Sequence, residues 1–280
     1  GYLMFLIDNI VLFIIFVRLL IIMDGMSGCI KNIIFLLAIM LSFPFGLSAG
    51  EDLDHISNKP KVDPIIHKNI FSYSPFYARA MDEYKAELYF KGRVKVHKSN
   101  KLIRYIPSMF RLENGVDDYI LESVSEMHYT APDVYNRKVK ALSTTFPRDK
   151  GQIVDLTDFL NINIYSSSIM TDKLLSPLDE KSSRYYHYLL DTVADVRGYS
   201  QYKILIVPKF TGTQLVNGYV WVDGIDFTIR ETYMEGQFDM NTFKLHTVMG
   251  DGGDETFLPV RLHLNVEFKF MGNHLEMDAG

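Results

Sequence analysis

The chain has 280 residues, 29 lysines and arginines against 34 aspartates and glutamates, and a hydrophobic content of 48%. That length suits one large core plus a targeting segment, and a net charge of −5 without any long basic run argues against a nucleic-acid surface, which needs clustered cations. The single cysteine, Cys29, stands in the apolar N-terminal region, which excludes disulfides, cysteine zinc sites and a cysteine nucleophile from the rest of the chain.

Two apolar stretches come first. Tyr2–Met23 is long enough to span a bilayer but is interrupted by Asp8 and Arg18. The second has the layout of a secretory signal: Met26, then Lys31, an apolar run Ile33–Leu41, a break at Pro44 and Gly46, and small residues at Ser48-Ala49. The expected organisation is therefore a translated upstream or apolar leader segment over 1–22 and a signal peptide over 23–49, with no cysteine placed for lipid anchoring. Residues 50–72, polar and carrying Pro60 and Pro64, read as a linker and short helical lead-in. Ser74-Pro75 has the form of an N-cap followed by proline in the first turn, which predicts a short helix running to Asp82.

The strongest periodic signal runs from Tyr84 to His97. Tyr84, Ala86, Leu88, Phe90, Gly92, Val94 and Val96 alternate with Lys85, Glu87, Tyr89, Lys91, Arg93, Lys95 and His97. A period of two places the first set on one face of a strand and the charged set on the other, whereas a helix would spread the charges around its circumference. The run would be roughly 40 Å long at about 3.3 Å per residue, and Gly92 suits a bend. Further β-rich runs follow at Tyr119–Tyr129 and Tyr135–Phe146 around Pro132-Asp133, and at Tyr185–Val193 and Gln201–Pro208 around Gly198. Tyr219–Asp223 and Ile225–Tyr233 flank a tight-hairpin signal at Asp223-Gly224. Thr242–Met249 and Thr256–Phe270 flank Gly250-Asp251-Gly252-Gly253, and the last run alternates Val260, Leu262, Leu264, Val266 and Phe268 against polar neighbours. Asp155–Asn161 is a second helix candidate, and Ile204–Val207, apolar on both parities, predicts a covered central strand.

The predicted fold class is mainly β (α+β): a curved antiparallel sheet or half-barrel with one or two short helices on its concave face. Its domain would span 73–272, with 273–280 opening a following region.

The residue types that carry chemistry are dispersed. The histidines form no HExxH-type pair, and His97 and His263 fall on polar strand faces, so exposed histidine is favoured over metal ligation. Asp251 to Glu255 lacks the spacing of a calcium loop and reads as a glycine-rich turn. Ser166-Ser167-Ser168 and Ser182-Ser183 lack a nucleophile-elbow context, and Asp117-Asp118 and Asp179-Glu180 read as solvated loop charges. No catalytic, metal or cofactor residue is assigned. Aromatic residues are plentiful, and the candidate lining for an apolar ligand is Tyr84, Leu88, Phe90, Tyr219 and Trp221.

Seven segments together are similar to those of an outer-membrane protein family of Bacteroidetes: YKAELYFKGR (84–93), LIRYIPSMFRL (102–112), YTAPDVYNRKVKA (129–141), NINIYSSS (161–168), LLSPL (174–178), RYYHY (184–188) and YKILIVPKFTGTQLVNGYVWVD (202–223). The family is a domain of unknown function often found behind a carboxypeptidase-regulatory-like domain, and the resemblance covers roughly residues 65–272. It implies a periplasmic half-barrel resembling the LolA/LolB-like lipoprotein-sorting fold, followed in full-length members by a transmembrane β-barrel. The chain departs from that pattern: no regulatory-like sandwich fits into Gly50–Asn69, and it reads as a fragment that stops where the barrel would begin. The function expected is a non-catalytic periplasmic binding or scaffolding module at the outer membrane. Its expected partners are a lipid or lipoprotein acyl chain and an outer-membrane barrel, its own missing C-terminal part or a separate protein. The alternative is that these strands are themselves a segment of a transmembrane β-barrel; a hydrolase is a more distant reading.

Overall fold

The computed structural model describes residues 59–100, 115–131, 134–146, 163–169, 174–196, 198–212, 214–238, 241–270 and 272–280, all within the unit Ser57–Gly280. The predicted helix at Asp155–Asn161 lies outside them. Ten strands form one antiparallel sheet: β1 Glu83–Lys98, β2 Asp118–Thr130, β3 Val134–Thr144, β4 Tyr186–Val196, β5 Tyr199–Pro208, β6 Val216–Asp223, β7 Ile229–Phe238, β8 Asn241–Met249, β9 Pro259–Phe270 and β10 Asn273–Ala279. The order is β3-β2-β1-β10-β9-β8-β7-β6-β5-β4, so β4 to β10 meander and β10 then closes onto β1. Among the described residues β3 and β4 are the two edges, and the sheet is not closed into a barrel. Residues 273–280, read above as opening a following region, instead supply the interior strand β10, because Leu275, Met277 and Ala279 alternate inward in phase with β1 and β9.

The alternation of β1 holds: Phe90, Val94 and Val96 are buried while Lys91, Arg93, Lys95 and His97 are exposed. In-register pairing carries that phase across the sheet. One row of directly opposed residues, Thr144, Leu121, Gly92, Ala279, Leu264, Leu245, Met234, Gly218, Ile206 and Tyr188, takes one residue from each strand. A one-residue slip anywhere would turn that strand's apolar set to water. Leu245, Leu264, Ile204 and Ile206 are almost wholly buried, each worth about 1.5–3 kcal/mol of gross hydrophobic stabilisation. β5 is not a central strand covered on both faces. It lies next to the edge strand β4, with Ile204 and Ile206 buried and Leu205 and Val207 half-buried, so its second apolar parity meets the outer face.

Helix α1, Pro64–Tyr77, starts ten residues before the predicted Ser74-Pro75 signal and ends short of Asp82. Asp63 is its N-cap, accepting from the Ile65 N–H at 2.7 Å, and Pro64 occupies the first turn. Ser74 is a buried residue of the last turn whose hydroxyl donates to the Leu178 carbonyl at 3.1 Å. α1 packs on the apolar face through Ile70, Phe71, Ser74 and Tyr77, with the Phe71 ring 5.5 Å from that of Tyr188 and the Tyr77 hydroxyl donating to the Asp226 carbonyl at 2.5 Å. A four-residue helix α2, Glu180–Ser183, precedes β4. The strands β6 and β7 are not joined by a two-residue turn at Asp223-Gly224. Residues 224–228 form a longer loop held by the Asp223 carboxylate on the Ile225 N–H and the Asp226 carboxylate on the Thr228 N–H, each at 2.9 Å, with Phe227 at φ 60°.

The segment before α1 straps the β4 edge. The Leu190 N–H donates to the Pro60 carbonyl at 2.8 Å, the Val62 N–H donates to the Tyr188 carbonyl at 3.1 Å, and Lys59 pairs with Asp191. Lys203 reaches the same carboxylate at 3.5 Å. The hydrogen bond from Lys59 holds the Asp191 carboxyl below its ordinary range despite its burial.

His67 of α1 sits between rings, 4.7 Å from Phe71 and 4.9 Å from Tyr188. Burial, then the charge of Lys209, holds its imidazole below the ordinary 6.5. The unfolded chain therefore takes up a proton that the folded chain resists, so the stability contributed is present above pH 6.5 and falls as the solution is acidified below it. Denaturant melts at pH 8 and pH 5.5 are expected to lose more stability on acidification for the wild type than for His67→Phe; equal losses would remove His67 from the account.

Candidate functional site: a tyrosine cleft on the apolar face

Where β1, β2 and β3 end beside the C-terminus of α1, the apolar face opens into a cleft. Tyr84, Tyr129 and Tyr135, one from each strand, form one wall, their rings 4.9 Å and 5.0 Å apart in sequence across the strands. Tyr84 and Tyr129 are directly opposed in the β1–β2 ladder and Tyr129 and Tyr135 in the β2–β3 ladder, so the period of two delivers all three to the same side. Tyr77 of α1 and Phe257 of the β8–β9 connection, 5.1 Å apart, line the cleft as well, with Met81, Met249 and Ile164. Phe257 is placed by the 3-10 turn Gly253–Phe257, entered through Gly252 and Gly253 at φ 122° and 57°, the turn anticipated for Asp251 to Glu255.

The cleft measures about 30 Å³ of space open to the centre of a water-sized sphere, room for one or two waters. Among the described residues no carboxylate, imidazole, amine or thiol lines it. Burial, then Tyr129, pushes the Tyr84 phenol above its ordinary 10.0, and burial, then Asp226, does the same to Tyr77. Both phenols stay protonated at neutral pH, so the cleft presents aromatic faces, thioethers and neutral hydroxyls.

Of the five residues expected to line an apolar site, Tyr84 lies in this cleft. Leu88 and Phe90 lie further along the same face of β1, Leu88 half-buried and Phe90 packed over Gly92. Tyr219 and Trp221 are on the other face of the sheet, out of phase with the buried Val216, Val220 and Val222. There Tyr219 donates to Glu231 at 2.9 Å, stacks on Tyr233 at 5.6 Å and carries the Lys203 ammonium 4.3 Å from its ring centre. The sheet thus separates the five into two groups on opposite faces. Tyr129, Tyr135, Met81, Tyr77, Met249 and Phe257 were missed, although the odd parity of Tyr119, Leu121 and Tyr129 marks the inner side of β2.

The outer face is polar and cross-linked by charge. Arg93 meets Asp118, Lys91 meets Glu122, and His97, His263 and His274 each bind a carboxylate, Glu276, Asp278 and Glu267. Among the described residues no group of three or more His, Cys, Asp or Glu is arranged to hold a metal ion, and no helix is long and apolar enough to cross a membrane.

An open antiparallel sheet, apolar and helix-covered on one side, charged on the other, with an aromatic cleft at the end of its first three strands, defines an α+β protein of the single-sheet class. The chain belongs to the family of unknown function designated DUF5686, whose model matches residues 65–279. No curated protein matches the sequence. Among solved structures it is similar to a LolA superfamily protein from Nitrosomonas europaea, with 8% identity over 76% of this chain and 90% of that one and a TM-score of 0.26. A DUF1329 family protein from Desulfovibrio piger ATCC 29098 shares 13% identity over 78% and 92% of the two chains at a TM-score of 0.24. A domain ascribed to an outer membrane lipoprotein-sorting protein from Vibrio parahaemolyticus shares 9% over 77% and 91% at 0.26.

Proposed function

We propose that the chain is a non-catalytic binding module of a bacterial envelope protein and that the tyrosine cleft admits an apolar chain, such as the acyl tail of a lipid or lipoprotein, toward the inner face of the sheet. The observation that carries this reading is the cleft's lining among the described residues: four tyrosines, two methionines and Phe257, at the end of an apolar sheet face. Its present volume of about 30 Å³ is too small for an acyl tail, so occupation requires Tyr77 and Phe257 to move away from Tyr84 and Tyr129. The signal pattern between Met26 and Ala49 supports an exported protein, with action in the periplasm or at the outer membrane.

A segment of a transmembrane barrel is the less favoured reading. The apolar face of the sheet, the one that would have to meet lipid, is instead packed by α1 through Ile70, Phe71 and Tyr77.

The test is titration of the purified chain with dansyl-undecanoic acid. Saturable fluorescence enhancement at micromolar probe is expected, with Tyr129→Ala shifting the apparent Kd at least about five-fold, roughly 1 kcal/mol, by reshaping the wall. Absence of uptake by the wild type, or identical binding by Tyr84→Ala, Tyr129→Ala and wild type, would dismiss the cleft as the site.

A further inference from the structure

The interior of the sheet is paired unevenly around β10. β10 pairs with β1 from Lys98 to Gly92 and with β9 from Phe270 to Leu264, and Gly280 exchanges both backbone hydrogen bonds with Lys91, at 2.7 and 2.9 Å. Both neighbours run on beyond that point. β1 continues to Glu83 in unbroken register with β2, and β9 continues through His263 and Leu262 to Pro259, stepping by one residue at Val260 in its ladder with β8. A slot in line with β10 lies between them. Alternate residues of an antiparallel strand aim N–H and C=O at the same flank. Because Lys91 serves Gly280, Tyr89, Glu87 and Lys85 turn theirs into the slot, and Leu262, two residues from Leu264, does so from the other side. Among the described residues no strand pairs with these two flanks. Burial changes at the same place. Beside β10, Val94 and Leu264 are 3% and 1% exposed, whereas Leu88, Ala86 and Tyr84 of β1 and Leu262 of β9, on the same side of the sheet, are only half-buried.

We propose that this slot is a strand-acceptor site, filled by an extended polypeptide segment that runs on from β10 and bonds to both flanks. The occupant is a strand because both flanks offer unpaired backbone groups, and each is backed by a further strand on its other side. It is joined to β10 because Gly280, bonded to Lys91 with the Leu262 carbonyl beside it, stands in line at the mouth. A joined segment enters with its register already set, whereas a separate strand must order itself from solution and fit against Gly280. That register fixes the chemistry of the segment. Its first residue faces inward between Phe90 and Leu262 and its third faces inward beside Leu88, so both are apolar. Its second faces outward between Tyr89 and Arg261, which is exposed and in no ion pair among the described residues, and carries a carboxylate. The slot lies in the plane of the sheet, and Tyr84 and Pro259 on its two flanks both line the tyrosine cleft. Filling it gives that cleft a floor and does not depend on what enters the cleft.

The test joins two short extensions of identical composition to Gly280 of the full chain: Val-Glu-Val-Thr-Val-Thr, which places valine inward, and Glu-Val-Thr-Val-Thr-Val, which places it outward. The first is expected to raise the urea midpoint and to slow hydrogen exchange at least about ten-fold at the Tyr89, Glu87 and Leu262 amides. The second is expected to leave both as they are in the chain without an extension. Arg261→Glu should lower the gain from the first extension and leave the unextended chain unchanged. The intact mass of the protein from its native cells is expected to exceed that of a chain ending at Gly280. Equal effects of the two extensions, protection confined to other amides, or a native C-terminus at Gly280 would overturn the proposal. Equal protection of the same amides by the free first peptide at micromolar concentration would overturn it too, by assigning the slot to a separate partner. Dansyl-undecanoic acid uptake reports on the cleft alone, so failure of either proposal is read separately.

Discussion

Gly218→Ala is expected to destabilise the protein by about 3 kcal/mol or more, seen as a large drop in the urea midpoint or failure to recover folded chain. Gly218 lies in β6 between Ile206 of β5 and Met234 of β7. A Cβ built on it would fall 1.9 Å from the Tyr233 carbonyl oxygen and 3.0 Å from the Met234 Cα. Those are backbone atoms of the neighbouring strand, so relief requires β6 and β7 to part within the apolar row. Gly92→Ala is the control. There the added methyl meets the far end of the Phe90 ring at 2.9 Å, a side chain that can rotate, and the cost should stay near 1 kcal/mol. Equal losses for the two substitutions would mean that the β6–β7 approach is looser than described.

The second large effect is at Tyr186, which opens β4 and is 2% exposed. Its hydroxyl donates to the Leu175 carbonyl at 2.7 Å and accepts from the Val216 N–H at 3.3 Å, joining the segment before α2 to the start of β6. Burial pushes its phenol up to about 12, so the hydroxyl keeps its proton throughout the physiological range. Tyr186→Phe leaves a half-buried carbonyl and a buried N–H without that partner and is expected to cost about 1–3 kcal/mol; Tyr186→Ala adds a cavity and is expected to cost about 3–5 kcal/mol. Tyr219→Phe, which removes a hydrogen bond to the Glu231 carboxylate on the half-exposed outer face, should cost under about 1 kcal/mol. A ranking in which Tyr219→Phe exceeds Tyr186→Phe would contradict the assignment of inner and outer faces.

Much of this architecture was legible because strand parity is a strong signal when one side is charged. Tyr84 to His97 gave its inner face directly, and the structure keeps every even position from Tyr84 to Val96 on that side. Parity failed where both sets are apolar. In β6, Val216, Val220 and Val222 compete with Tyr219 and Trp221, and the smaller β-branched set takes the packed side while the rings, which have a hydroxyl or an indole N–H to satisfy, go outward. The same ambiguity made β5 look doubly covered. The helix was misplaced because Asp63-Pro64 and Ser74-Pro75 present the same local start signal, and only packing of Ile70 and Phe71 against the sheet distinguishes them. β10 carried its own alternation in Leu275, Met277 and Ala279, but a seven-residue strand is convincing only with neighbours on both sides. The cleft was half visible: Tyr84 followed from periodicity, while Tyr77 and Phe257 reach it from a helix and a turn whose positions no local pattern encodes.

The β1–β10 ladder has a consequence for how the molecule comes into being. β1, β2 and β3 form one set of neighbours in sequence, β4 to β10 form another, and the two sets meet through pairings such as Val94 with Met277. During synthesis the first set emerges long before its partner strand exists, leaving the flank of β1 exposed for the time needed to make some 180 further residues. Such distant pairing slows folding, and the seam is where a chaperone would have most to shield and where a stalled chain would remain open.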